Sequence, residues 1–160
     1  LMRVRERDRV LEIIKKVNLK TSPLNLDKNN FTFFAKDLAK NLADNFSAIG
    51  TYPDLKWCLS TIKKTKVFLK IYQDNEFGLR CYKEEIAKNL NEYSYKSVAV
   101  IVDEGISKGY FISLEPIENK IIDKKIKNIR PSKELLISFY NWNIERIISL
   151  NMIINKYKKK

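Results

Sequence analysis

Histidine is absent from this chain of 160 residues. Without it the chain cannot form Ser-His or Cys-His nucleophiles, His general bases or His metal ligands. The sequence also contains no Walker loop, GxGxxG, GxSxG or HExxH motif. The residue patterns of most cofactor-dependent and hydrolytic enzymes are therefore missing. We predict no cofactor, no metal site and, as the leading interpretation, no catalytic centre.

Cysteine is scarce, with only Cys58 and Cys81 present. Both lie in periodic apolar segments, which favours buried small side chains in a reducing compartment. A single disulfide between them is the alternative. Because the sequence has no CxxC pair, a cysteine-based zinc site is not expected.

Long apolar runs are also missing. No stretch reaches the roughly 18 residues that a membrane-spanning helix needs, and no secretory signal is visible. These features predict a cytoplasmic protein without a membrane span.

Positive charge is what the sequence has in excess. Lysine and arginine number 31 against 19 acidic residues, a formal net charge of +12. Such a surplus favours a polyanionic partner, either nucleic acid or an anionic membrane surface. A composition rich in lysine, asparagine and isoleucine also arises from AT-rich coding, in which case part of the charge is solvated surface. The apolar fraction of 44% argues against disorder and predicts a single domain over residues 1–160.

The stretch of residues 51–83 is predicted to be a basic helix followed by a hairpin. Thr51 is a candidate N-cap, and the apolar residues of the helix over 51–66 repeat at i, i+3, i+4 and i+7. Residues 67–72 and 77–83 are β-prone runs joined by four turn-type residues, which is typical of a hairpin.

Two helices are predicted before this stretch, over residues 3–17 and from Phe31 to Phe46, with a loop over 18–30. The second of them has a broad apolar stripe that we expect to be buried. A winged helix-turn-helix has the order helix, loop, helix, turn, helix and hairpin. Residues 3–83 are therefore predicted to be winged-helix-like. The residues predicted to contact nucleic acid are Lys56, Lys63, Lys64, Lys66, Lys70 and Arg80.

The sub-region over residues 84–130 is predicted to contain a short helix, a second β-hairpin and a basic helix. The hairpin is formed by residues 97–103 and 109–115, and the basic helix begins at Pro116. Arg130-Pro131 would end that helix.

A long helix is predicted for the sub-region 131–160, capped by Ser132. Seven of its residues repeat at alternating spacings of four and three: Leu136, Tyr140, Asn143, Ile147, Leu150, Ile154 and Tyr157. This pattern predicts burial within the domain or a homodimer through residues 132–157, in which Asn143 would set the register.

A metal-dependent nuclease is the one enzyme class that the sequence leaves open. Acidic residues near one strand and an E-x-K on its neighbour can hold a divalent ion and position a water molecule. The candidate residues are Asp103, Glu115, Glu118 and Lys120. The alternative is that these acids lie in turns and at a helix N-terminus.

Aromatic residues near lysines suggest a stacking platform for single strands as a further alternative. They are Tyr72, Tyr82, Tyr93, Tyr95, Tyr110 and Phe111. Strand aromatics also serve as core residues or cross-strand pairs.

Taken together, these patterns predict a helix-rich α+β domain that binds nucleic acid, with double-stranded DNA as the expected form. The expected role is transcription regulation, or replication or partition of the plasmid or phage type. A protein-interaction module acting through the last helix is the second hypothesis, and the nuclease is the third.

Overall fold

The computed structural model describes residues 4–114 and 127–160, which form a helix-rich α+β structure. Its α-helices are α1 (Val4–Lys16), α2 (Phe31–Ala48), α3 (Pro53–Cys58), α4 (Ile62–Glu76), α5 (Lys83–Asn89), α6 (Tyr95–Ser107) and α7 (Lys133–Tyr157). A short 3-10 helix covers Ile49–Thr51, and the strands β1 (Phe111–Leu114) and β2 (Asn128–Pro131) form one antiparallel sheet. The predicted α+β class with a long C-terminal helix is confirmed.

The chain divides into two compact units. The terminal unit comprises Leu1–Ala48 and Trp142–Lys160, and the central unit comprises Ile49–Asn141, so α7 contributes residues to both. Among the described residues, every buried apolar side chain except Tyr157 belongs to the central unit. The hydrophobic core therefore lies in the central unit, while the prediction of a single domain stays a prediction.

Two helices, α4 and α6, organise the central unit. Helix α4 contacts α3, α5, α6 and β2, and α6 contacts α5 and β1. In the sheet, Phe111 pairs with Pro131 and Leu114 pairs with Asn128. Their shared core is built from apolar side chains that are essentially inaccessible to solvent: Leu55, Cys58, Val67, Phe68, Ile71, Cys81, Ile86, Val98, Val102, Phe111, Ile129 and Leu135.

The predicted hairpin over residues 67–83 is wrong, because residues 67–76 belong to α4. Val67, Phe68 and Ile71 are buried at helical spacing, so packing on one face of a helix overrides the β-propensity of the run. Gly78, with a positive φ of 64°, ends α4 in a Schellman motif: the backbone N–H of Leu79 donates to the carbonyl of Asp74 at 2.8 Å. In the central unit, α3 is therefore followed by another helix and not by the hairpin that a winged helix requires.

The first strand of the second predicted hairpin is also wrong. Residues 97–103 lie within α6, where Val98, Ile101 and Val102 are buried at i, i+3 and i+4. Gly109, with φ of 78°, ends this helix in a second Schellman motif. Strand β1 lies inside the predicted strand of residues 109–115, but its partner is β2.

Two further boundaries differ from the predictions. The helix predicted over residues 51–66 is divided into α3 and α4, with Tyr52 at the N-cap position of the first and Thr61 at that of the second. Most of the basic helix predicted from Pro116 falls on residues 115–126, which are outside the described part of the chain. The last residues of the predicted helix form strand β2.

Several predicted elements are confirmed. Helices occupy residues 4–16, 31–48 and 83–89, and the long helix begins after Ser132. The Ser132 hydroxyl accepts a hydrogen bond from the N–H of Leu135 at 3.0 Å, which is the predicted cap.

In the terminal unit, hydrogen bonds join α2 to α7. Asn41 donates to the Ser149 hydroxyl at 2.5 Å, and the indole N–H of Trp142 donates to the Asn45 carbonyl at 3.0 Å. The predicted burial of the apolar stripe is wrong: no residue of α2 is fully buried, and Phe46 is 64% exposed.

Backbone hydrogen bonds also join the last residues of the chain to residues 23–25 in this unit. The N–H of Asn25 donates to the Tyr157 carbonyl at 2.8 Å, and the N–H of Lys159 donates to the Pro23 carbonyl at 2.8 Å. Within the part of the chain that the structure describes, no helix has the length and apolar character to cross a membrane.

Candidate nucleic-acid interface

The N-terminal turn of α4 concentrates positive charge. The Thr61 hydroxyl caps this helix by accepting a hydrogen bond from the N–H of Lys64 at 3.1 Å. Lys63, Lys64 and Lys66 all fall within the first five residues of α4, and no acidic residue lies in its first turn. A helix N-terminus carries the positive end of the helix dipole, so lysines there are electrostatically unfavourable for the helix itself.

The N-terminal turn of α6 lies against that of α4. The Ser94 hydroxyl caps α6 by accepting from the N–H of Ser97 at 3.1 Å, and the first turn again contains no acid. The Lys63 ammonium donates to the Ser97 hydroxyl at 2.6 Å, which joins the two turns. Lys96 is exposed beside them. We call these two turns, with Lys63, Lys64, Lys66 and Lys96, the cationic face.

Aromatic rings lie beneath the lysines of the cationic face. The Lys64 ammonium lies 4.6 Å from the centre of the Trp57 ring, and the Lys63 ammonium lies 5.1 Å from the centre of the Tyr93 ring. The Trp57 indole is fixed because its N–H donates to the Glu104 carboxylate at 3.0 Å. Such cation–π contacts contribute about 0.5–1 kcal/mol each at exposed sites and hold the ammonium groups in place without neutralising them.

An open cavity of about 400 Å³ lies between the two turns, and we call it the cationic cavity. Its lining residues are Lys63, Ser94, Lys96, Ser97, Val100 and Ile101, and most of its accessible surface is apolar. None of the described residues that line it is acidic. The two lysines among its lining residues give the cavity a positive charge.

One carboxylate lies close to the cationic face. Glu92 forms an ion pair with Lys66, and this hydrogen bond raises the pKa of Lys66 above its ordinary value. Among the residues that the structure describes, Lys63, Lys64 and Lys96 have no carboxylate partner. The positive charge of those three lysines is therefore available to a ligand.

The structure brings together three of the six residues predicted to contact nucleic acid, the lysines at positions 63, 64 and 66. Lys56 is exposed on α3, and Arg80 is exposed between α4 and α5. Lys70 forms an ion pair at 2.9 Å with Asp74, whose side chain is almost fully buried. Because Lys70 balances a buried carboxylate, we assign it a structural contact.

Of the four residues of the nuclease hypothesis, the described part of the chain includes Asp103 alone. Asp103 was expected at the end of a strand, but it lies on α6 and forms an ion pair with Lys83 at 2.5 Å. Glu115, Glu118 and Lys120 lie outside the described residues. Residues 4–114 and 127–160 contain no group of three or more His, Cys, Asp or Glu side chains placed to hold a metal ion.

The two cysteines are free, buried thiols. Burial is the main cause that raises the pKa of Cys58 to about 12, and the same holds for Cys81. A thiol with such a pKa stays protonated at neutral pH and is a poor nucleophile.

Sequence reasoning missed Lys96, Ser94 and Ser97, because the start of α6 was not recognised as a helix. The available signal was Ser94 as an N-cap before apolar residues at i, i+3 and i+4. The contact between Lys63 and Ser97 had no such signal, since it joins residues 34 positions apart.

The fold and the site define a helix-rich α+β protein with a cationic face flanked by aromatic rings. No protein-family model, curated protein or solved structure matches this chain.

Proposed function

We propose that the protein binds nucleic acid through the cationic face. The observation that carries this proposal is the position of Lys63, Lys64 and Lys96 on two adjoining helix N-termini, with no carboxylate partner among the described residues. Lysines at helix N-termini oppose the helix dipole, so this arrangement is unfavourable for folding but favourable for binding an anion. The net charge of +12 makes a polyanion the natural partner.

The chemistry of each group supports a phosphate backbone as the bound species. Lys63, Lys64 and Lys96 carry charged donors of the kind that contact phosphate oxygens, and Lys63 and Lys96 both line the cationic cavity. Trp57 and Tyr93 offer ring surface beside the lysines, which is the combination that nucleic-acid-binding surfaces use. This proposal needs no wing and no contact from Lys70.

The test measures the salt dependence of binding to a fluorescently labelled oligonucleotide. Two triple variants remove the same charge: Lys63→Gln, Lys64→Gln and Lys96→Gln in the cationic face, and Lys15→Gln, Lys108→Gln and Lys133→Gln at exposed positions elsewhere. The slope of log K against log salt scales with the number of phosphate contacts, by about 0.7 per contact for single strands and about 0.9 for duplexes.

We expect the first variant to lower the magnitude of that slope by about 2 to 3, because three phosphate contacts are lost, and the second to change it little. If both variants weaken binding equally, the cationic face is not the interface. If the wild-type protein binds no oligonucleotide at low salt, the proposed function is wrong.

A second candidate function, self-association through α7, is favoured by a separate observation. Ile144, Ile147, Ile148 and Met152 are each more than half exposed. Positions 144, 147, 148, 151, 152 and 155 carry only isoleucine, asparagine and methionine, so the face has no charge in a molecule of net charge +12. A second copy is the occupant that fits, because two such faces meet without placing like charges opposite one another.

The exposed face of α7 differs from the predicted heptad track. Tyr157 of that track is buried, and the Asn143 side-chain oxygen accepts a hydrogen bond from Arg146 on the same helix. In the proposed self-association, Asn151 and Asn155 replace Asn143 as the polar residues of the contact.

A further inference from the structure

The lysines that follow α7 are held in place within the terminal unit. A run of lysines after the last turn of a helix is ordinarily frayed and solvated unless other residues tie it down. Here Lys158 forms an antiparallel β-bridge with Leu24, and two backbone hydrogen bonds join residues 157–159 to residues 23–25. This lysine run is therefore part of the fold.

The loop that pairs with the lysine run is itself fixed by side-chain hydrogen bonds. The Asp27 carboxylate accepts hydrogen bonds from the N–H of Asn29 at 2.7 Å and from the N–H of Asn30 at 2.9 Å. The Asn30 amide group donates to the Asn25 carbonyl at 2.8 Å. The loop thus offers a defined backbone to which the lysine run is bonded.

A cavity of about 540 Å³ lies where this loop meets the end of α7, and we call it the lysine cavity. Its volume is within the range of about 300–1,000 Å³ that is typical of ligand sites. Most of its accessible lining is polar, and none of its lining residues is acidic or aliphatic. These residues are Asn25, Asn30, Lys156, Tyr157, Lys158, Lys159 and Lys160.

Three of the four lysines that line the lysine cavity have their charge available to a ligand. Lys156 forms an ion pair with Asp37 at 2.7 Å. Lys158, Lys159 and Lys160 are exposed, and they form no ion pair with a carboxylate in the part of the chain that the structure describes. A concave, polar surface with several lysines suits an oxyanion, because ammonium groups form strong, charge-assisted hydrogen bonds with anionic oxygens.

We infer that the lysine cavity is a second surface that binds the phosphate backbone of nucleic acid, in addition to the cationic face. The identity of the ligand rests on the proposed function, but the residues are different and belong to the other unit. The lysine cavity provides backbone contacts alone, since its one aromatic residue, Tyr157, is only 6% exposed and offers no ring face for a base.

The lining of the lysine cavity favours nucleic acid over an anionic membrane. Surfaces that bind membranes combine lysines with exposed aromatic or aliphatic side chains, which enter the boundary between headgroups and acyl chains. The lysine cavity has no aliphatic lining residue, and the buried Tyr157 cannot enter a membrane. Its asparagines and lysines are instead suited to phosphate oxygens.

The experiment measures the salt dependence of binding to a labelled single strand of about 30 nucleotides, longer than the roughly 4–16 nucleotides that one binding domain covers. The lysine-cavity variant carries Lys158→Gln, Lys159→Gln and Lys160→Gln, which remove charge from exposed side chains and keep the backbone hydrogen bonds. It is tested alone and combined with the triple variant of the cationic face. The matched control carries Lys15→Gln, Lys16→Gln and Lys40→Gln, at exposed positions of the same unit that do not line the cavity.

We expect the lysine-cavity variant to lower the magnitude of the slope of log K against log salt by about 2, because each phosphate contact to a single strand contributes about 0.7. The combined variant should lower it by about 4, since separate sites contribute additively. The control should change it little. A strand of abasic sugar-phosphate units should give the same decrease, because the lysine cavity contacts only the backbone.

The outcomes separate this inference from the proposed function. If the lysine-cavity variant changes the slope no more than its control does, the inference is wrong, while a decrease in the cationic-face variant leaves the proposed function intact. The reverse pattern supports the lysine cavity and rejects the cationic face. Loss of binding to phosphatidylserine vesicles, with binding to the oligonucleotide unchanged, would assign the lysine cavity to a membrane and overturn the inference. Absence of oligonucleotide binding by the wild-type protein at low salt overturns both.

Discussion

Asp37 connects α2 to the end of α7 within the terminal unit. Its carboxylate accepts hydrogen bonds from the Lys156 ammonium at 2.7 Å and from the Tyr157 hydroxyl at 2.6 Å. The bond from Lys156, followed by that from Tyr157, holds the pKa of Asp37 below its ordinary value. Phe34 adds an edge-on ring contact to Tyr157 at 5.4 Å between ring centres. Tyr157 therefore joins the end of α7 to α2 by a hydrogen bond and by a ring contact.

The lowered pKa of Asp37 predicts that stability depends on pH. The unfolded chain titrates this carboxyl near its ordinary pKa, about 4, so the stabilising contribution is fully present above that pH. It is lost as the pH falls below about 4 and through the lower folded pKa. We expect Asp37→Asn to unfold at a lower temperature than wild type at neutral pH, and to show a smaller further decrease in acid.

Thermal unfolding followed by circular dichroism, from about pH 6 down to about pH 2, checks this. The matched control is Asp44→Asn on the same helix, because Asp44 is exposed. If Asp37→Asn and Asp44→Asn give the same pH profile as wild type, the Asp37 contacts do not stabilise the unit.

At the level of the elements, the contact between α6 and β1 depends on a glycine. Gly105 is buried on α6, and the ring of Phe111, 1% exposed, packs directly on it. A Cβ atom at Gly105 would lie 2.5 Å from the Phe111 Cε2 atom and closer still to Cδ2, distances that real structures do not tolerate. The absence of a side chain at position 105 is what lets the sheet approach the helix.

We therefore expect Gly105→Ala to destabilise the protein by about 1–2 kcal/mol. Alanine in a helix interior normally gains about 1 kcal/mol over glycine, but overpacking a core costs about 1–3 kcal/mol or more, and here the overpacking term prevails. Urea denaturation gives the free energy of unfolding directly.

Gly50→Ala is the control for this variant, because an added Cβ there meets nothing within 4 Å. We expect it to leave the stability unchanged or slightly higher. If Gly105→Ala is as stable as wild type, the packing of Phe111 on α6 is looser than described.

At the scale of the whole molecule, the exposed apolar residues of α7 predict self-association. Sedimentation velocity over a range of protein concentrations should give a sedimentation coefficient that rises with concentration for the wild type. Ile148→Glu places a charge in the centre of the uncharged face, and we expect it to keep the protein monomeric. The residue is 57% exposed, so this change should not disturb the fold.

The control for self-association is Phe33→Glu, which changes a residue of similar exposure, 65%, on α2. It should associate as the wild type does. A wild-type protein that sediments as a monomer at every concentration would rule out this second function.

Elements whose signals are local could be predicted from the sequence alone. Phe31 begins a helix with 3.6-residue periodicity, Ser132 caps α7, and the excess of lysine sets the net charge. Each depends on a few neighbouring residues or on composition. The high local frequency of lysine was enough to predict three residues of the candidate site, at positions 63, 64 and 66.

The helical form of residues 67–72 and 97–103 depends on tertiary packing. Their β-branched and aromatic side chains suit a strand or a buried helix equally, and the burial of Phe68 and Val98 against other elements selects the helix. The same packing joins Lys63 to Ser97 and so creates the cationic cavity. Local propensity cannot encode that cavity, because its walls come from two helices whose approach depends on the core beneath them.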